Sequence, residues 1–117
     1  MIPVWLINRL DQPEYWIHTS TRFLKKGHKY CYVRVVSNNK TEKIRKGAYA
    51  LVNITAKPNS GDSVLILEPG GSLSLMRMYK ENAYYVAKPF KGSKLHTYIL
   101  NNRETIAGKI ERIFNMP

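Results

Sequence analysis

The sequence predicts a mostly β fold, a barrel-like arrangement of short strands and hairpins. Three observations carry this. Short apolar and β-branched runs recur at roughly ten-residue spacing. Clusters of Gly, Pro, Asn, Asp and Ser separate them. Tyrosine, which favours strands, occurs 8 times in 117 residues.

Taken in order, residues 3–7 (PVWLI) read as a first strand and residues 14–19 (EYWIHT) as a second. Residues 21–29 form a basic connection that closes at Gly27. Residues 29–36 (KYCYVRVV) make the clearest strand, β-branched and aromatic with no Gly or Pro. The turn residues 37–40 (SNNK) end it. A strand at 48–53 (AYALVN) leads to a turn at 57–62 (KPNSGD). Residues 63–67 (SVLIL) and 73–79 (LSLMRMY) form a hairpin about Glu68-Pro-Gly-Gly71, and residues 83–87 (AYYVA) return after a second turn. Alternation along 73–79 puts Ser74, Met76 and Met78 on one face and Leu73, Leu75, Arg77 and Tyr79 on the other.

The last segment fits two periods. Ile106, Ile110 and Ile113 have helical spacing; Ile106, Gly108, Ile110 and Phe114 have strand spacing. Gly108 weighs against a helix, but pattern alone leaves both open. As a strand it would turn Ile106, Ile110 and Phe114 to the core. Ala107, Lys109, Glu111 and Ile113 would then face outward, with Ile113 on an unpaired edge that a second copy could cover.

The length fits a single domain, residues 1–117, with a core that needs no disulfide staple. The only cysteine, Cys31, lies in an apolar run and reads as a buried thiol. No run approaches the ~20 apolar residues of a membrane span, and no signal-peptide pattern opens the chain, so the expected compartment is the cytoplasm. His18, His28 and His96 have no ligand or triad spacing around them. No metal or cofactor is expected.

Nineteen basic and 8 acidic residues give a net charge of +11. Much of the excess lies in residues 22–46: Arg22, Lys25, Lys26, Lys29, Arg34, Lys40, Lys43, Arg45 and Lys46 against Glu42 alone. This is a solvated lysine-rich surface, or a patch that draws phosphate without reading bases.

Four stretches, in order, carry a resemblance. Gly47-Ala-Tyr-Ala-Leu-Val-Asn53 is similar to a "G-D-Y-x-L-V-D" segment, and Pro58-Asn-Ser-Gly-Asp-Ser-Val64 to a "P-x-x-G-D-x-V" turn. Gly71-Ser-Leu-Ser-Leu-Met-Arg-Met78 matches a "G-E-x-x-x-K-R-L" hairpin. Ile106-Ala-Gly-Lys-Ile-Glu-Arg-Ile113 matches "I-x-G-x-V-x-x-I". Together they resemble the C-terminal domain of LexA-like and phage CI-type repressors and of UmuD-like proteins, most clearly over residues 30–114.

Active members of that family cut their own chain with a serine–lysine dyad, the lysine serving as base to the serine. By the resemblance, the lysine position is Met76 and the serine position is Asn39, with Lys40 and Glu42 where a methionine and a proline follow it. A thioether takes no proton at neutral pH, and a carboxamide is no nucleophile here. The resemblance therefore implies an inactive peptidase-fold domain serving self-association and regulation of a phage- or mobile-element-type repressor. The implied assembly is a homodimer or higher homo-oligomer. No helix-turn-helix pattern occurs in these residues, so DNA would be bound through a separate segment, or weakly through the basic patch. Two alternatives stand beside this: a stand-alone basic domain that binds nucleic acid, and a UmuD-like accessory docking on a protein partner. A shifted dyad of Ser37 and Lys80 is the one route to an active peptidase.

Overall fold

A computed structural model of the chain describes residues 2–6, 15–35, 43–67, 73–81, 84–90, 98–100 and 106–115. The strands are β1 (Ile2–Leu6), β2 (Tyr15–Ile17), β3 (Tyr30–Arg34), β4 (Tyr49–Asn53), β5 (Ser63–Leu67), β6 (Leu73–Glu81), β7 (Tyr84–Pro89), β8 (Tyr98–Leu100) and β9 (Ile106–Phe114). A 3-10 turn, Thr21–Phe23, lies between β2 and β3. The mostly β class is as the sequence predicts. Among the described residues, no helix is long and apolar enough to cross a membrane.

All nine strands join one sheet in the order β2-β1-β3-β4-β9-β5-β6-β7-β8. β1 runs parallel to β3; every other ladder is antiparallel. β2 and β8 end the sheet and share no ladder among the described residues, so the expected barrel is an open, mixed sheet. Among the described residues, β9 alone joins the two halves.

The open period of the last segment resolves as a strand, and two bulges explain its ambiguity. Leu51 pairs with Arg112 and Val52 with Ile110, which leaves Glu111 extra; Leu65 pairs with Gly108 and Ile66 with Ile106, which leaves Ala107 extra. Each bulge shifts the alternation by one residue. Ile106, Ile110 and Phe114 therefore do not share a face. Ile110 packs with Cys31, Val33, Ala50, Val52 and Leu65, and Ala107 and Ile113 lie half-buried against the same cluster. Ile106 lies against Val64, Ile66, Met76, Met78 and Ala87, and Phe114 against Val4, Tyr32 and Leu51. The expected outward placing of Ala107 and Ile113 is corrected accordingly.

Nor does β9 form an edge of the sheet. Its first residues pair with β5, its last with β4, and Lys109 pairs with both. The ladder with β5 ends at the Val64–Lys109 pair, so residues 110–114 lie along β4 at one side and pair with no described strand at the other. The edge expected from the sequence is thus half a strand, in the middle of the sheet order.

The turn before β5 is stitched to β6. Gly61, at φ +92°, donates its N–H to Met78 O at 2.7 Å, and Met78 N–H donates to Asp62 O at 3.0 Å. The backbone N–H of Asn59 donates to Asp62 Oδ2 at 2.7 Å. This fixes the register that carries Met76 inward.

Candidate functional site

Met76 is fully buried. It sits opposite Val64 on β5 and Pro89 on β7, in a cluster with Ile66, Met78 and Ala87, and Tyr85 and Ile106 flank it. These neighbours offer a thioether dispersion contacts and would offer an ammonium no counter-charge. Asn39, Lys40 and Ser37 lie outside the described residues. Lys80 is exposed at the far end of β6, where its backbone N–H donates to Ser60 Oγ at 3.0 Å. Burial pushes the Cys31 thiol up to about 11, which leaves it protonated and inert at neutral pH.

The polar centre of the sheet is Asn53, which is fully buried at the end of β4. Its Oδ1 accepts the backbone N–H groups of Thr55 and Ala56, both at 3.0 Å. That fixes the amide, so Nδ2 must donate: to His28 Nδ1 at 2.8 Å, to Glu111 Oε1 at 3.1 Å and, at 3.4 Å, to Tyr30 OH. The bulge aims Glu111 at this amide. Lys109 Nζ meets Asp62 Oδ2 at 3.6 Å. All four residues named for self-association, Ala107, Lys109, Glu111 and Ile113, thus have partners within their own chain. The sequence signal for Asn53 was a single polar residue closing an apolar strand two positions before a threonine, an Asx-turn pattern.

The basic residues Arg22, Lys25, Lys26, Lys29, Lys43, Arg45 and Lys46 are all exposed; Lys40 lies outside the described residues. Four of them fall at two places. The backbone N–H groups of Lys25 and Lys29 bond Tyr30 OH and Thr55 Oγ1, toward the Asn53 end of the β3–β4 ladder. Lys43 and Arg45 are tied to the other end through Asn115, whose Oδ1 accepts from Arg45 N at 2.9 Å and whose Nδ2 donates to Lys43 O at 2.8 Å.

At that second end lies an aromatic pocket of about 270 Å³. Phe23, Tyr32, Tyr49 and Phe114 wall it, with Thr19 and His18 at its polar side. The rings meet edge to face: Phe23 on Phe114 at 5.5 Å, Tyr32 on Phe114 at 6.4 Å, Tyr32 on Tyr49 at 6.1 Å. Thr19 Oγ1 and Tyr32 OH share a hydrogen bond at 2.7 Å, and the Tyr15 and Tyr49 hydroxyls share another. Two exposed guanidiniums lie over the Phe23 ring, Arg22 at 4.7 Å and Arg112 at 4.6 Å from its centroid. Arg112 was not among the basic residues singled out from the sequence, because only the bulged register of β9 brings it there.

No family model matches this chain, and no curated protein matches it.

Proposed function

We propose that this chain is a catalytically inactive LexA/UmuD-like peptidase-fold domain that serves self-association and regulation of a phage- or mobile-element-type transcriptional repressor. The observation that carries the reading is Met76, fully buried among apolar side chains at the position the resemblance gives to the general base. A base must release and regain a proton within reach of a hydroxyl. A thioether in this cluster does neither. Self-association is the role that survives such a loss, and the half-open side of β9 at residues 110–114 is a surface for it. Two copies related by a twofold axis would pair these stretches antiparallel. DNA contact through a separate segment, or a regulatory protein partner, would complete the repressor.

The test of inactivity is intact mass. The protein is incubated at pH ~10, where a lysine with the ~10.4 reference pKa or lower is substantially neutral. A single unchanged mass is expected. Two defined fragments that Ser37→Ala abolishes would assign the chain to the active peptidases through a shifted dyad.

A further inference from the structure

We infer that the aromatic pocket walled by Phe23, on whose ring Arg22 and Arg112 rest, is a binding site for single-stranded nucleic acid, one unpaired base entering the pocket and its flanking phosphates meeting the two guanidiniums. The inference stands apart from the dyad positions of the peptidase-fold reading, although Arg112 and Phe114 also lie in the stretch of β9 proposed for self-association.

Three observations converge on this occupant. The first is size. About 270 Å³ is small beside the ~300–1,000 Å³ of ordinary ligand pockets, so it suits one flat ring system better than an extended chain. The second is the wall. Half-buried Phe23 and Phe114 line the pocket over the buried Tyr32, an aromatic wall that takes a base of any sequence. The third is charge. Arg22 comes from the 3-10 turn and Arg112 from β9, and both sit on the ring of Phe23 with their side chains exposed. Stacking on an aromatic holds the guanidinium plane in place and leaves its N–H groups for phosphate. Lys43 and Arg45, both exposed, have their backbone tied to Asn115, the residue after Phe114. A neutral apolar ligand would have no use for these charges. A duplex has no use for the pocket, because its bases are paired and stacked.

The hydroxyl side imposes no choice of base. The Thr19–Tyr32 hydrogen bond can open to a base edge, each hydroxyl being donor and acceptor at once. The site is therefore tolerant of sequence, with its affinity set by stacking and salt.

The test is fluorescence anisotropy with three labelled probes of equal length: oligothymidylate, the same backbone with abasic residues, and a duplex. Oligothymidylate is expected to bind at least about tenfold more tightly than either of the others, the scale of one stacked base. Arg22→Gln with Arg112→Gln should lower the slope of log affinity against log salt by roughly 1 to 1.5, from ~0.7 per phosphate lost on a single strand. Phe23→Ala should abolish the advantage over the abasic probe. The arginine variant keeps its aromatic walls, so it reads the site even if Phe23→Ala unfolds. Equal affinity for oligothymidylate and the abasic strand, tighter binding to duplex, or a salt slope unmoved by the double variant would each overturn the proposal.

Discussion

Met76 and Asn53 are the two fully buried residues on which the reading of this molecule turns, and they differ in how they could be found. Strand alternation alone puts Met76 inward with Met78. It does not say what surrounds it; that needs the pairing with β5 and β7. Asn53 is harder, because its partners His28, Thr55 and Glu111 come from three separate parts of the chain. At this scale the prediction concerns Met76→Lys. An ammonium there has no partner, so at pH 7 the variant should lose on the order of 3–5 kcal/mol, whereas Met76→Leu should lose under ~1.5. Burial lowers a lysine pKa in the folded state. The unfolded chain then binds more protons than the folded one, so the deficit should shrink as pH rises toward the ~10.4 of a free lysine. Urea unfolding at pH 7 and pH 10 checks both. A Met76→Lys protein as stable as the wild type at pH 7 would mean that the site already offers an ammonium a partner.

Among the elements, β5 was legible to the residue and β6 nearly so, because each is a regular run closed by strong turn chemistry at Gly61 and in the residues between the two strands. β8 was not read at all; three residues carry too little period to detect. β9 was read as ambiguous for a physical reason. Bulges at Ala107 and Glu111 space Ile110 and Ile113 three apart on one face, which imitates a helix. Gly108 shows how tightly this strand passes β4. A Cβ there would stand 2.5 Å from Val52 Cγ1 and 2.9 Å from Asn53 O, so close approach of two backbones requires glycine. Gly108→Ala should cost about 1–3 kcal/mol in urea unfolding, the range of an overpacked core. A loss below a few tenths of a kcal/mol would show that the two strands can separate freely at this point.

The whole molecule carries +11 charge on a sheet whose two halves meet only at β9 among the described residues. The charge was plain in the sequence, and so was the mostly β class. The strand proposed for self-association was named from the sequence too, but not the placing of its side chains, because Ile113 and Ala107 lie half-buried against the core. Like charges on two copies repel, so association should strengthen as salt rises and screening shortens. The most direct measurement is hydrogen exchange of the backbone amides in residues 110–114 at low and high protein concentration, at ~0.2 M salt. Successive amides of a strand point to opposite sides. Those facing β4 should be protected at both concentrations. Those facing away from it should become protected only at high concentration, in step with dimer formation in sedimentation equilibrium. A protein that stays monomeric at high micromolar concentration, or a dimer whose outward β9 amides exchange as fast as in the monomer, would contradict self-association through this strand.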